Sequence, residues 1–87
     1  MKILQTPTFK KQVKKLYSNQ KIELDNAVYE IIKTPDIGQM KKGDLTGVRV
    51  YKFRVINQLY LLAYQINDYQ LELLSLGTHE NFYRDLK

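Results

Sequence analysis

The amino-acid sequence predicts an α+β fold in which a helix hairpin packs against a mainly antiparallel sheet, in the order β-α-α-β-β-β, followed by a short C-terminal helical turn. Residues 48–76 contain three apolar runs separated by short polar pairs, and residues 7–33 contain two stretches with helical periodicity. Apolar residues at every second position are typical of strands, whereas spacings of three and four are typical of amphipathic helices. Residues 2–5 are a further short apolar run and predict an edge strand.

The three runs in the C-terminal half predict an antiparallel meander. They are Val48–Ile56, Leu59–Ile66 and Gln70–Leu76, separated by Asn57-Gln58 and Asn67-Asp68, which suit tight turns. Side chains alternate between the two faces of a strand, so Tyr51 and Phe53 share one face. Lys52 and Arg54 share the other face. We expect the aromatic face to pack in the core and the other face to present two cations side by side.

The first turn also predicts a register. A two-residue loop at Asn57-Gln58 would place Arg54 opposite Leu61 and Lys52 opposite Ala63. Tyr60, Leu62 and Tyr64 would then lie on the core side of the sheet.

Two helices are expected before the meander. Thr6-Pro7 starts the first, because proline lacks an N–H that would have no partner at that position anyway. Its apolar stripe is Phe9, Val13, Leu16 and Tyr17, opposite Lys10, Lys11, Lys14 and Lys15.

Ser18-Asn19 is expected to cap a second helix over residues 20–33, which Thr34-Pro35 ends. The short connection predicts a hairpin that lies across the Tyr51/Phe53 face. Residues 35–47 are expected to form a turn-rich connecting loop.

Composition limits the possible functions. A chain of 87 residues is expected to form one domain, spanning residues 1–87. With no cysteine and one histidine, we expect no disulfide, no metal site and no cofactor. The net charge of +5 favours contact with a polyanion such as nucleic acid or the ribosome. Without a signal peptide or a membrane-spanning run, we expect a cytoplasmic protein with no membrane contact.

The one histidine, His79, directly follows the last predicted strand. A bulge or kink at Gly77 would turn His79 towards the Lys52/Arg54 face. An imidazole exchanges protons at cellular pH, and preorganised cations stabilise the charge that develops on a phosphate during cleavage. These groups could therefore cleave RNA without a metal. The alternative is that His79 anchors the C-terminal turn through hydrogen bonds.

The order of motifs resembles that of the RelE/ParE superfamily of bacterial type II toxins. The matching segments are Leu45-x-Gly47-x-Arg49-x-Tyr51-Lys52-x-Arg54, then Tyr60-Leu61-Leu62-Ala63-Tyr64-Gln65, then Leu76-Gly77-Thr78-His79-Glu80-Asn81-Phe82-Tyr83. The resemblance covers essentially the whole chain. It implies a microbial RNase-like fold, a cognate antitoxin protein as partner, and contact with operator DNA only indirectly, through the antitoxin complex.

Two activities occur in this superfamily. RelE- and YafQ-like members cleave mRNA in the ribosomal A site, whereas ParE-like members poison DNA gyrase. The resemblance favours an endoribonuclease, an mRNA interferase that acts on translating ribosomes and inhibits translation. The alternatives are a gyrase poison of the same fold and a non-catalytic basic nucleic-acid-binding module.

The resemblance also implies site residues. The expected catalytic set is Lys52, Arg54, His79 and Tyr83, and the expected RNA-binding set is Lys41, Lys42, Arg49, Phe82 and Arg84. Leu61 stands where RelE carries an arginine, so part of the phosphate clamp is either missing or supplied by another residue such as Arg49 or Arg84. Tyr83 or Phe82 could stack on an unpaired base, and the alternative is that both pack the C-terminal tail onto the sheet.

Overall fold

The computed structural model describes residues 1–41 and 47–82, and its elements follow the predicted order with one addition. They are β1 (Lys2–Gln5), α1 (Pro7–Lys14), α2 (Ser18–Lys33), β2 (Gln39–Met40), β3 (Arg49–Val55), β4 (Gln58–Asn67) and β5 (Gln70–Thr78). The addition is β2, a two-residue strand inside the segment that was expected to be only a loop. The α+β class is confirmed. No helix in this part of the chain is long and apolar enough to cross a membrane.

The strands form one five-stranded sheet in the order β1-β5-β4-β3-β2. β1 runs parallel to β5, and the other neighbours are antiparallel, so the predicted meander is β3-β4-β5. β4 is the central strand. Its residues Leu61, Leu62, Ala63 and Tyr64 are all 0% exposed, which shows that both of its faces are covered there. This position explains why β4 is apolar almost without interruption, since alternation is lost when both faces are buried.

Both hairpin turns lie one residue away from their predicted positions. The first loop is Ile56-Asn57, with Val55 paired to Gln58, so Lys52 lies opposite Leu61 and Arg54 opposite Leu59. The predicted register is therefore wrong by two residues. A shift of two returns every side chain to the same face, so the alternation that fixed the faces could not fix the register. The second loop is Asp68-Tyr69, and both residues have positive φ, as in a type I′ turn.

The helices begin as the sequence indicates at α1 but not at α2. The Thr6 hydroxyl accepts a hydrogen bond from the Phe9 N–H at 3.0 Å, which confirms the predicted cap of α1. Ser18 and Asn19 are instead the first residues of α2, and Tyr17 is its N-cap. The Gln20 Oε1 accepts from the Tyr17 N–H at 2.7 Å and so stabilises this start. Because α1 ends at Lys14, Tyr17 leaves the predicted apolar stripe and is 76% exposed.

The helix hairpin covers one face of the sheet and forms the main core with it. Buried residues of this core are Phe9, Leu24 and Ile31 from the helices and Leu62, Tyr64, Leu71, Leu73 and Leu76 from the sheet. Tyr51 and Phe53 pack against this cluster with their rings stacked at 6.3 Å. Burying each such aliphatic or aromatic side chain contributes about 1.5–3 kcal/mol. The prediction that the hairpin lies across the Tyr51/Phe53 face is confirmed.

Candidate active site

The face of the sheet opposite the helices, called the open face here, presents the predicted pair of cations. Lys52 and Arg54 lie on it, two residues apart on β3, and both are exposed. Their neighbours across the strand are apolar, Leu61 and Leu59. Among the residues that the structure describes, neither cation has a carboxylate partner within salt-bridge distance. Within residues 1–41 and 47–82, no carboxylate therefore neutralises these two positive charges.

A bulge in β5 changes which residues of this strand lie on the face of the cations. Tyr64 pairs with Leu73 while Ala63 pairs with Ser75, which leaves Leu74 as an extra residue. Leu73, before the bulge, and Leu76, after it, both face the helices. They are three positions apart, whereas residues on one face of a regular strand are separated by an even number of positions. The bulge thus reverses the alternation of β5. Gly77, which pairs with Leu61, now belongs to the open face.

The backbone places His79 in a row with Arg54. The His79 N–H donates to the Leu59 carbonyl at 3.0 Å, and Leu59 lies directly opposite Arg54. β5 ends at Thr78, so His79 is the first residue of the turn that follows the strand. Neighbouring strands are about 4.8 Å apart, so the His79 and Arg54 backbones are separated by roughly 10 Å across Leu59.

A kink that turns His79 towards the cations was predicted, but its position at Gly77 is wrong. The bulge lies at Leu74 because α1 supplies partners for the backbone groups that the irregular ladder leaves free. The Thr6 hydroxyl donates to the Leu74 carbonyl at 2.7 Å, and the Gln12 Oε1 accepts from the Leu76 N–H at 2.6 Å. Gly77 has a different role, since a Cβ there would lie 3.4 Å from the Phe82 Cα.

Gln12 and Thr6 were not among the predicted site residues, although they position one. Gln12 Nε2 also donates to the Ser75 hydroxyl at 3.2 Å, so its carboxamide bridges the two residues that follow the bulge. One signal was present in the sequence. Gln12 is a polar residue three positions after Phe9, next to Val13, and therefore close to the apolar stripe of α1.

Arg49 lies on the opposite side of the sheet from Lys52 and Arg54. It pairs with Tyr64, and its Nη1 donates to the carbonyls of Gly38 at 2.8 Å and Asp36 at 3.2 Å. Its guanidinium holds the segment that follows α2. This corrects the expectation that Arg49 could complete a phosphate clamp on the open face.

Tyr64 anchors the same segment from the core. Its hydroxyl donates to the Pro35 carbonyl at 2.8 Å and accepts from the Gly38 N–H at 2.9 Å. Burial raises the pKa of the Tyr64 phenol, while the Gly38 N–H and the Arg49 charge act in the other direction. The neutral phenol is therefore the form that the folded protein favours.

Phe82 is 0% exposed and packs in a second, smaller core on the open face. The other buried members of this cluster are Val48, Val50, Leu61 and Ala63. A ring enclosed in this way cannot stack on a base, which corrects the RNA-binding role expected for Phe82. The cluster also accounts for the leucine at position 61. Its apolar side chain packs in the same cluster as Phe82, at the position where the resemblance to RelE would place an arginine.

Of the remaining predicted site residues, one lies at the edge of the open face and three lie outside the described residues. The Lys41 N–H donates to the Val48 carbonyl at 2.9 Å, which continues the β2–β3 ladder by one residue. This register places Lys41 on the same face as Lys52, at the β2 edge, and it is half-buried. The predicted Lys42, Tyr83 and Arg84 lie outside the described residues.

Several solved structures share this fold. A chain of the intact E. coli RelBE toxin-antitoxin complex is 23% identical and has a TM-score of 0.73, and the match covers 87% of this chain and 93% of that one. The YoeB/ParE toxin from Agrobacterium tumefaciens is 17% identical with a TM-score of 0.73, covering 91% and 99%. YafQ from E. coli is 21% identical with a TM-score of 0.61, covering 90% and 92%. At these identities the likeness shows the fold.

Sequence comparison places the chain in a family. No curated protein gives a significant match. The family model that matches describes the ParE-like toxin of type II bacterial toxin-antitoxin systems, and it covers residues 3–87. This range includes both helices, β2 to β5, all of β1 except Lys2, and the positions of Lys52, Arg54 and His79. The chain therefore belongs to the ParE-like toxins of type II bacterial toxin-antitoxin systems.

Proposed function

We propose that this toxin is an endoribonuclease that cleaves mRNA on translating ribosomes and thereby inhibits translation. The observation that supports this most is the row of Arg54, Leu59 and His79 across the open face, with Lys52 beside it. The row joins a proton-exchanging group to two exposed cations. A site for charge stabilisation and a group for proton transfer are the two requirements of RNA cleavage by the RNA's own 2′-hydroxyl.

In the proposed reaction the 2′-oxygen attacks the adjacent phosphorus and the bond to the 5′-oxygen of the next nucleotide breaks. The products are a 2′,3′-cyclic phosphate and a 5′-hydroxyl. A base removes the proton of the 2′-hydroxyl and an acid protonates the leaving 5′-oxygen, so the proton count is unchanged. His79 performs one of these two transfers, and its imidazole can do so near neutral pH.

Lys52 and Arg54 stabilise the negative charge that increases on the phosphate oxygens in the transition state. Both are fixed by their positions on a regular strand, whose neighbours on the central β4 are apolar. Charge that is already in place costs no reorganisation during the reaction. Arg54 can also present two parallel N–H donors to one phosphate, whereas Lys52 acts as a point charge.

We further propose a cognate antitoxin as the protein partner, with operator DNA bound only through the complex. The E. coli structure that this chain resembles is a toxin-antitoxin complex. The helix hairpin offers a groove of about 320 Å³ whose lining includes Ile3, Phe9, Val13, Val28 and Ile32. An amphipathic antitoxin segment would bury these apolar side chains there, and an acidic segment would cover the cations of the open face.

Expression without the antitoxin tests the proposed activity. Protein synthesis should stop, and mRNA should be cut only where ribosomes are translating. The second candidate function is the poisoning of DNA gyrase, which the ParE-like description of the matching family favours. If translation continues while gyrase-linked DNA breaks accumulate, the second function replaces the first.

A further inference from the structure

A cleft with both polar and apolar lining residues lies where the α1–α2 connection meets the end of the sheet, and the site described above does not use it. Its volume is about 290 Å³, and its lining includes Lys15, Tyr17, Gln20, Tyr60, Thr78 and Asn81. Thr78 is the last residue of β5, and the Asn81 N–H donates to its carbonyl, so these two residues enclose the turn that begins with His79. The cleft is therefore adjacent to the proposed reacting residues but opens on the helix side of the sheet.

One wall of the cleft is held by a short hydrogen-bonded chain. The Gln20 Oε1 accepts from the Tyr17 N–H, and its Nε2 donates to the Tyr60 hydroxyl at 3.1 Å. Because the Tyr60 oxygen accepts this bond, its own hydrogen remains to be donated. On the other wall, the side chains of Thr78 and Asn81 have no hydrogen-bond partner within residues 1–41 and 47–82. The cleft thus offers donors and acceptors from three side chains.

An exposed aromatic ring and a cation lie at the rim of this cleft. Tyr17 is 76% exposed, although its backbone is fixed as the N-cap of α2. Lys15, two residues earlier, is exposed beside it. An exposed aromatic ring next to hydrogen-bonding side chains and a cation is the combination that proteins use to hold an unpaired nucleotide.

We infer that this cleft binds one unpaired base of the RNA, next to the linkage that is cleaved. Tyr17 stacks on the base, Thr78 and Asn81 hydrogen-bond its edge, and Lys15 contacts the adjoining phosphate. An RNA strand held at Arg54 and His79 reaches the cleft by passing around the turn that follows β5. This inference rests on the proposed function, because it takes RNA as the ligand.

The test compares two substitutions of Tyr17 in the full chain with one matched control. The dissociation constant is measured for a fluorescein-labelled single-stranded oligoribonucleotide. Tyr17→Ala should raise it by about 5-fold to 100-fold, the range expected for loss of one base–aromatic stack. Tyr17→Phe keeps the ring and should bind nearly as the unchanged protein does. Tyr69→Ala removes a ring that is 85% exposed at the far end of the sheet, and it should have no effect.

A second measurement identifies the group that binds. Adenosine 5′-monophosphate titrated into the ¹⁵N-labelled protein should shift the amide signals of Tyr17, Thr78 and Asn81, whereas ribose 5-phosphate should not. Equal shifts with both ligands would mean that only the phosphate binds, and that overturns the base site. Oligoribonucleotide binding that Tyr17→Ala leaves unchanged also overturns it, including the case in which affinity for the antitoxin falls instead.

These outcomes are separate from the fate of the proposed function. If the unchanged protein cuts no mRNA but Tyr17→Ala still weakens RNA binding, the base site stands and the nuclease activity is rejected. If the unchanged protein cuts mRNA and Tyr17→Ala binds and cuts equally well, the nuclease stands and the base site is rejected.

Discussion

The Gln12 side-chain oxygen accepts a hydrogen bond from the backbone N–H of Leu76 at 2.6 Å, two residues beyond the bulge in β5. This contact joins the first helix to the strand that directly precedes His79. The bulge reverses the alternation of β5, and without it Leu73 and His79 would face the same side. A half-buried carboxamide on α1 therefore stabilises the bulge that precedes the proposed proton-transfer group.

Gln12→Leu should destabilise the fold. The Leu76 N–H and the Ser75 hydroxyl would lose their partner in a buried region, which costs about 1–3 kcal/mol for an unsatisfied group. Urea unfolding measures this as a lower midpoint. Gln12→Glu is the control, because a carboxylate still accepts from the amide and the serine hydroxyl can donate to it. Equal midpoints for Gln12→Leu and the unchanged protein would show that the bulge does not depend on this contact.

Tyr64→Phe should lower stability and remove one source of alkaline sensitivity. The substitution leaves the Pro35 carbonyl and the Gly38 N–H without their shared partner, at a cost of about 1–3 kcal/mol.

The pH dependence of Tyr64 follows from burial, which raises its folded-state pKa above the usual 10.0. Its contribution to stability is complete below that usual pKa and is lost as the pH rises through the folded-state pKa, because the unfolded state loses the proton first. Stability measured from pH 8 to 11 should fall less steeply in Tyr64→Phe. Parallel pH profiles for the two proteins would contradict this assignment.

The sequence was sufficient to predict the element order and the two faces of β3. The opposite placement of Phe53 and Arg54 follows from the period of two in a strand, and no tertiary information is needed for it. The start of α1 also depends only on neighbouring residues, since the Thr6 side chain caps the helix and Pro7 occupies its first position. These features depend on residues that are close together in the chain.

The register, the bulge and the roles of Arg49 and Phe82 could not be predicted in the same way. A register shift of two residues leaves every side chain on the same face of the sheet, so only the position of the turn determines the register. The bulge at Leu74 depends on partners from residues 6 and 12, which are more than sixty positions away in the chain. Arg49 and Phe82 have side chains that suit RNA binding, and only the folded structure shows what they pack against.

Lys52→Ala and Arg54→Ala should each reduce mRNA cleavage, by about 10²–10³-fold if each cation contributes as one preorganised charge-stabilising group does. Both side chains are exposed and face away from the main core, so the melting temperature should barely change. Lys10→Ala removes an exposed lysine from α1 and is the matched control for net charge. Equal losses of cleavage in all three variants would mean that general charge, and not position on the open face, determines activity.

His79→Gln should separate activity from stability. The imidazole is exposed and lies outside both cores, so the substitution should leave thermal unfolding nearly unchanged. The contact that holds this residue is its backbone N–H to Leu59, which any side chain preserves. Cleavage of ribosome-bound mRNA should fall by about 10²–10⁴-fold, as expected when a positioned acid or base is lost. Unfolding and cleavage are measured on the same sample.

A large drop in melting temperature with unchanged activity per folded molecule would instead make His79 a structural anchor of the C-terminal turn. Lys52 and Arg54 would then remain as the supported part of the site.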